Sequence, residues 1–260
     1  MIGNKTAKYR NSLGRELVFD NRTLFIESID MTGASGLHTV ESLLGADGQT
    51  TIDSVLQAKT IPCEFALKDT SGNGWLRREL ADIFSPKLGG VLTVWTRFGR
   101  YEIDVRPKDN PSFKQDSEND FVYRWSVDFV ADFPYWRYGD EHTVTLTAGQ
   151  DVVVRSNCIY DIAPKIYFPA TDYNSLIKQG GRVCVSIYAH PNTDIKLDTL
   201  TFRITNAQTG ENCNNLVDAS NDLSNIRLKY GTNAFNFSYN SNADTTSALM
   251  TYYNLSQGEI

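Results

Sequence analysis

The chain has 260 residues, of which 41% are hydrophobic and 22% charged, with a formal net charge of −6. That balance suits one or two globular domains, each able to bury a core, and excludes wholesale disorder. The acidic surplus, with no run of even four Lys or Arg, excludes the basic stripe that neutralises phosphates in a nucleic-acid binder.

The first half opens with short β-branched, apolar pieces at 15–19 and 23–29, separated by the turn signal Asp20-Asn21. Residues 30–50 are rich in Gly, Ser and Thr and contain the turn Ala46-Asp47-Gly48, where glycine takes a positive φ without steric cost. At 60–68, Ile61, Cys63, Phe65 and Leu67 alternate onto one face of a strand. One helix is predicted at 75–84. There Leu76, Leu80, Ile83 and Phe84 form an apolar stripe, Asn73 or Ser71 can cap the start, and Ser85-Pro86 stops the end. Strands follow at 91–96, 100–106 and 121–129. The last has the clearest period of two in the chain, with Phe121, Tyr123, Trp125, Val127 and Phe129 on one side. The polar stretch 107–120 reads as a loop or arm. Pro134 among aromatics at 132–138, then Gly139-Asp140-Glu141, reads as the close of a domain and a short hinge at 137–141.

The second half reads as short strands at 143–147, 151–155, 164–168, 183–189, 200–205, 226–230, 234–239 and 248–253, with turns between them. Such spacing predicts a sandwich of two antiparallel sheets. The fold class is therefore mainly β, with domains at 1–138, carrying the helix, and 141–260.

Residues that carry chemistry are sparse. Cys63, Cys158, Cys184 and Cys213 form no CxxC pair or Cys/His cluster, so no zinc or redox site is signalled and reduced thiols are expected. His38, His142 and His190 lie in no motif: the first two read as exposed bystanders and the third as a turn residue. No nucleophile elbow, zinc-protease, P-loop or dinucleotide glycine pattern is present, and Gly89-Gly90 and Gly180-Gly181 read as turns. Glu102 and Asp104 share one strand face and are the one carboxylate pair worth weighing for glycosidase chemistry, although a solvated face accounts for them. Trp95, Trp125, Tyr135 and Trp136 are candidates for a sugar platform or an oligomer interface. Trp125 reads as core, and Tyr135 and Trp136 as interdomain packing. The first ten residues lack the apolar segment of a secretion signal, so the sequons at Asn21, Asn236 and Asn254 read as chance matches. No apolar run reaches 18 residues, so no transmembrane helix is predicted. No catalytic, cofactor or metal residue is assigned, and the chain is expected not to be an enzyme.

The order of several motifs resembles the distal tail protein family of siphophages infecting Gram-positive bacteria. These are YRNSLGRE at 9–16, Gly-Ala-Asp-Gly at 45–48, the amphipathic helix, SPKLGGVLTV at 85–94, KDNPSF at 108–113, the long alternating strand and DFPYW at 132–136. The second half is also similar, through Asn157 before Pro164, the segment 200–205, LSNIRLKYGTNAFNFSY at 223–239 and a last strand running into YYNLSQG at 252–258. The resemblance implies a barrel-like N-terminal β domain that forms a ring, usually of six copies, and a galectin-like C-terminal sandwich projecting outward. It further implies a place at the virion tail tip, joining the tail tube protein to the tail-tip protein and in some phages carrying receptor-binding proteins. It implies neither a cofactor nor membrane insertion. Unpaired strand edges in the first half would be covered across subunits, with the 107–120 loop as the candidate.

Two rival readings are weighed. A carbohydrate-binding module would present Tyr167, Tyr188 and Tyr239 on one exposed sheet face, although strand alternation can equally bury them. A cell-wall hydrolase ranks last, because no nucleophile or metal motif appears.

Overall fold

The computed structural model describes residues 6–20, 22, 24–42, 49–68, 75–115, 122–218, 222–241 and 246–257. The chain divides into two compact units, one of Met1–Gly139 with Ser256–Ile260 and one of Asp140–Leu255. Both are built from antiparallel strands, so the mainly β class read from the sequence is what is seen.

The first unit contains β1 (Thr6–Asn11), β2 (Glu16–Phe19), β3 (Leu24–Ile29), β4 (Gly36–Ser42), β5 (Gln49–Leu56) and β6 (Lys59–Lys68). The helix α1 (Trp75–Ile83) follows, then β7 (Gly90–Thr96), β8 (Gly99–Pro107), β9 (Ser112–Gln115), β10 (Val122–Ala131) and the start of β11 (Trp136–Leu146). One sheet runs β2-β1-β7-β8-β11 and another β3-β6-β10-β9, with a short stretch of β8 also bonded to β10 at Pro107↔Phe129 and Arg106↔Val130. Consecutive strands β2 and β3 are not paired, so the barrel-like arrangement stays open and no barrel closes among the described residues. A separate piece, the two-stranded ribbon β4-β5, pairs with no other described strand.

Period-two patterning explains the core. In β10, Trp125, Val127, Phe129 and Ala131 are buried while Arg124, Ser126 and Asp128 face water. In β6, Ile61, Cys63, Phe65 and Leu67 do the same. The inward rings meet: Tyr9 stacks on Phe84 at 5.3 Å, Phe65 on Trp125 at 6.2 Å, and Phe19 meets Phe65 edge-on at 5.0 Å. Full burial of each such phenylalanine contributes roughly 1.5–3 kcal/mol. The helix buries Leu80 and Ile83, followed by Phe84, against this cluster. The Leu76 side chain and the capping candidates Ser71 and Asn73 lie outside the described residues, as do the 45–48 turn, Asn21 and Phe121.

Two of the sequence motifs meet at one junction. Asn11 is buried, and its Oδ1 accepts from the backbone N–H groups of Leu13 and Arg15, each at 3.1 Å, closing the β1-β2 turn. Its Nδ2 donates to the carbonyl of Ile83 at 3.4 Å, satisfying one of the free carbonyls at the end of α1. Ser12 N–H bonds the Gly89 carbonyl at 2.8 Å. A Cβ at Gly90 would overlap the Arg10 carbonyl oxygen and the Tyr9 ring, so only glycine fits there. YRNSLGRE and SPKLGG are thus two halves of one structural joint.

The second unit contains the remainder of β11, then β12 (Asp151–Ser156), β13 (Lys165–Phe168), β14 (Ser175–Gln179), β15 (Arg182–Ile187), β16 (Ile195–Asp198), β17 (Arg203–Asn206), β18 (Gly231–Tyr239) and β19 (Ala248–Ser256). Its sheets run β17-β16-β13-β19-β11 and β12-β18-β14-β15. They face one another through Phe168 and Phe237, 6.0 Å apart, with Ile166, Ile177, Val185, Leu197 and Met250 fully or almost fully buried around them. This is the antiparallel sandwich predicted for the second half.

Several local expectations are corrected. Residues 107–120 are not all loop, because β9 bonds to β10 from Ser112↔Ser126 to Gln115↔Tyr123. Part of the 30–50 stretch is strand, in β4 and β5. The hinge expected at 137–141 lies within β11, where Gly139 takes φ +74. Segment 226–230 is not a strand, although Ile226 and Leu228 are fully buried. Its backbone pairing is a single bridge, Leu228 with Ile162, and beside it the Gln179 side chain accepts from Arg227 N–H at 3.1 Å and donates to its carbonyl. In 200–205 only the end is strand, from Arg203.

Candidate functional site

The residues that sequence singled out for chemistry are held by their neighbours. Glu102 and Asp104 both face outward on β8, but Glu102 pairs with Arg100 and Asp104 receives both amino groups of Arg137, at 2.6 and 2.8 Å. One part-buried and one exposed carboxylate, each bound by a guanidinium, make an ion-paired face. His38 is exposed on β4. His142 is exposed too, yet ordered: its ring stacks on Tyr252 at 5.0 Å and its Nε2 lies 3.1 Å from Asn254 Nδ2. His190 opens a turn, as expected, its carbonyl accepting from Thr193 N–H at 3.3 Å. It is buried, its Nδ1 lies 3.0 Å from the Tyr188 carbonyl, and burial pushes its pKa below the ordinary histidine value.

The aromatic candidates divide likewise. Trp125 is core, as read from alternation. Trp136 is fully buried in the first unit's own core, and Tyr135 packs on Phe133 at 4.8 Å. Trp95 is partly exposed on β7. The three tyrosines weighed as a sugar platform share no face. Tyr167 lies in the β13 sheet with Lys196 Nζ 5.5 Å from its ring, Tyr239 is buried and bonded to the Thr246 carbonyl, and Tyr188 is exposed just after β15 of the other sheet. An open depression of about 390 Å³ beside Asp151, Lys178, Gly180 and Asn236 holds one carboxylate, already accepting from Asn236 at 2.9 Å. Among the described residues no three His, Cys, Asp or Glu cluster as metal ligands, and no helix is long and apolar enough to cross a membrane. All four cysteines are free.

One buried cation was not foreseen. Lys59 is only 5% exposed, its Nζ lies 5.8 Å from the centre of the Trp136 ring, and it has no hydrogen-bond partner among the described residues. Burial lowers its pKa and outweighs the attraction of Asp30. The position opens β6 on the same face as Ile61, Cys63, Phe65 and Leu67, so the alternation points it inward and only its charge argues against burial.

What remains open for function is surface. In the first unit β2, β3 and β9 each pair with a single described strand, and Leu37, Val55 and Phe113 are each half-exposed. Leu37 and Val55 stand directly opposite on the ribbon, and Phe113 leans on Trp125 at 5.3 Å. Unpaired edges flanked by exposed apolar side chains are features of a surface built to associate. Sequence reasoning anticipated unpaired edges but not the ribbon.

No protein-family model and no curated protein matches the chain. Solved structures do. The Dit protein of phage SPP1, described as a paradigm of the hub adsorption apparatus in phages that infect Gram-positive hosts, aligns with a TM-score of 0.65 at 14% identity, over 96% of this chain and 99% of that one. A chain of the phage P2 baseplate in its activated conformation with Ca aligns with a TM-score of 0.65 at 8% identity, over 98% and 99%. A chain of the phage p2 baseplate in its activated conformation with Sr gives 0.64 at 10% identity, over 99% and 100%. At these identities the likeness establishes the fold, and it does so from end to end: the chain has the two-unit fold of phage Dit and baseplate proteins.

Proposed function

We propose that the chain is a structural component of the distal end of a phage tail, assembled as a ring of about six copies that joins the tail tube to the tail-tip proteins. The observation that carries this reading is the extent of the fold likeness. Two dissimilar β units recur together, in the same order, over at least 96% of this chain and 99% of each compared chain, and those chains come from a hub adsorption apparatus and from baseplates. The sequence motifs point the same way, and the structure gives several of them an architectural reason.

On this reading the chain is a building block and not an enzyme. Of its candidate acid–base groups, Glu102 and Asp104 are ion-paired and His190 is buried, while His38 and His142 are exposed and belong to no cluster of such groups among the described residues. A head-to-tail contact between two different patches of one chain closes into a ring whenever its rotation divides a full turn. The tail tube protein, the tail-tip protein and, where present, receptor-binding proteins are the partners that follow. Light scattering on the purified chain checks the ring. The expected mass is about six times 29.2 kDa, and a species that stays at 29.2 kDa at every concentration overturns it.

A further inference from the structure

We propose that β12 pairs edge to edge with β12 of a second copy, antiparallel and centred on Val153. The contact goes beyond the ring reading, because it joins one ring to another.

The sheets of the second unit end in β17, β11, β12 and β15. The chain itself runs along two of these ends. Beside β17, Thr205 bridges Asn212, Asn206 N–H bonds the Glu211 carbonyl and Cys213 N–H bonds the Ile204 carbonyl. Beside the last residues of β15, Ile187 bridges Val217 and Tyr188 N–H bonds the Leu216 carbonyl. The β11 end meets β8 at Arg137 and Tyr138. β12 pairs along its whole length with β18 and with no second described strand.

Its composition invites pairing. Asp151-Val152-Val153-Val154-Arg155-Ser156 has β-branched valines at its centre and neither proline nor lysine, the usual guards of an exposed edge. Val154 and Ser156 are buried, so Asp151, Val153 and Arg155 share the outer face, and Val153 is 59% exposed.

Charge selects the occupant and the register. When two β12 strands lie antiparallel with Val153 opposite Val153, Asp151 of each stands opposite Arg155 of the other. Opposite charges then flank an apolar centre on both sides. The other ends, counted the same way, lack this match. β11 over Asp140–Leu146 contains Asp140 and Glu141 and no Lys or Arg, while β15 and β17 contain Arg182 and Arg203 as their only charges. The two residues either side of each of these stretches, and of β12, add no charge. Only β12 is therefore complementary to itself.

A self-complementary pairing consumes both edges, so it covers them without growing a filament. Being two-fold, it cannot close the ring, whose contact is head to tail, and it links separate rings instead. One contact of this size is too small to hold two free second units together, and it gains strength when several act at once.

Cysteine trapping in the full chain tests the contact, with Cys213→Ser removing the one thiol that is not buried. Val153→Cys, mildly oxidised, is expected to give a disulfide-linked dimer and nothing longer. Val183→Cys, at a valine of β15 that is 52% exposed, should give only a trace. In the Val153→Cys chain, Asp151→Arg or Arg155→Asp alone should slow trapping about ten-fold, and the two together should restore it. Equal trapping of the two cysteine variants, or no restoration by the double reversal, overturns the inference. Light scattering separates this contact from the ring. A mass near six times 29.2 kDa with no Val153→Cys dimer overturns the contact and leaves the ring standing. A chain that traps the dimer yet never exceeds two copies overturns the ring and leaves the contact standing.

Discussion

At the residue scale, Lys59 is the place where the fold tolerates something unfavourable. An ammonium with 5% exposure and no hydrogen-bond partner among the described residues has lost most of its hydration. The Trp136 ring and Asp30 return part of that, but a cation–π contact gives about 2 kcal/mol even when desolvated, against several for removing an ion from water. The lowered pKa says the same thing: charge is less welcome here than in the unfolded chain. The sign follows from linkage. Below the folded pKa both states carry the proton, and the cost to the native state is fully present. As pH rises through the folded pKa the native state releases its proton before the unfolded state does, so stability rises until the unfolded pKa, about 10.4, is reached. Lys59→Met is therefore expected to raise stability by about 1 kcal/mol at pH 7 and to flatten the alkaline rise. Urea midpoints measured from pH 7 to 10 check both, and a variant less stable at pH 7 would show that the ammonium has a partner worth more than its burial costs.

At the scale of elements, Asn11 ties a turn to a helix end. Its side chain serves two N–H groups of the β1-β2 turn and one carbonyl of α1. Asn11→Ala should cost about 2–3 kcal/mol, because it strands buried groups from both elements. Asn11→Asp keeps the two acceptor contacts but loses the donor and places a negative charge at the helix C-terminus, so it should recover only part of that loss. Chemical denaturation of the parent chain and the two variants tests the order. If Asn11→Asp left stability unchanged, the helix contact would drop out of the account. Asn11 sits in a motif that sequence could quote but not explain, since its partners lie 72 residues away as well as next door. Strands with one wet and one dry face were legible: β6 and β10 alternate because the core lies on one side only. The ribbon was not, because its described side chains at 36–39 and 55–56 are not buried and no period marks it. Residues 226–230 failed in the opposite sense, with Ile226 and Leu228 alternating inward as in a strand while the pairing stopped at one backbone bridge, Leu228 to Ile162, and a glutamine side chain served Arg227. The candidate surface was therefore only half visible: unpaired edges follow from any open sheet, but which edge is free and what stands beside it depend on the register of strands far apart in sequence.

At the scale of the whole molecule, each unit has its own core. The buried side chains around Phe65 and Phe129 all belong to the first unit, and those around Phe168 and Phe237 to the second. A unit of this kind should fold without the other. The cut matters, however: Ser256–Ile260 belong with the first unit, so the second is bounded by Asp140 and Leu255 and not by the end of the chain. The fragment 140–255 is expected to give one cooperative melt with strand-rich circular dichroism. On the ring reading it should also stay monomeric, because the first unit is absent from it. The complementary expectation separates architecture from assembly. If the fragment were to form the ring by itself, the docking surfaces would lie in the sandwich and the first unit would lose its role. A fragment that melts without cooperativity would mean instead that the sandwich needs residues before 140 to hold its core together.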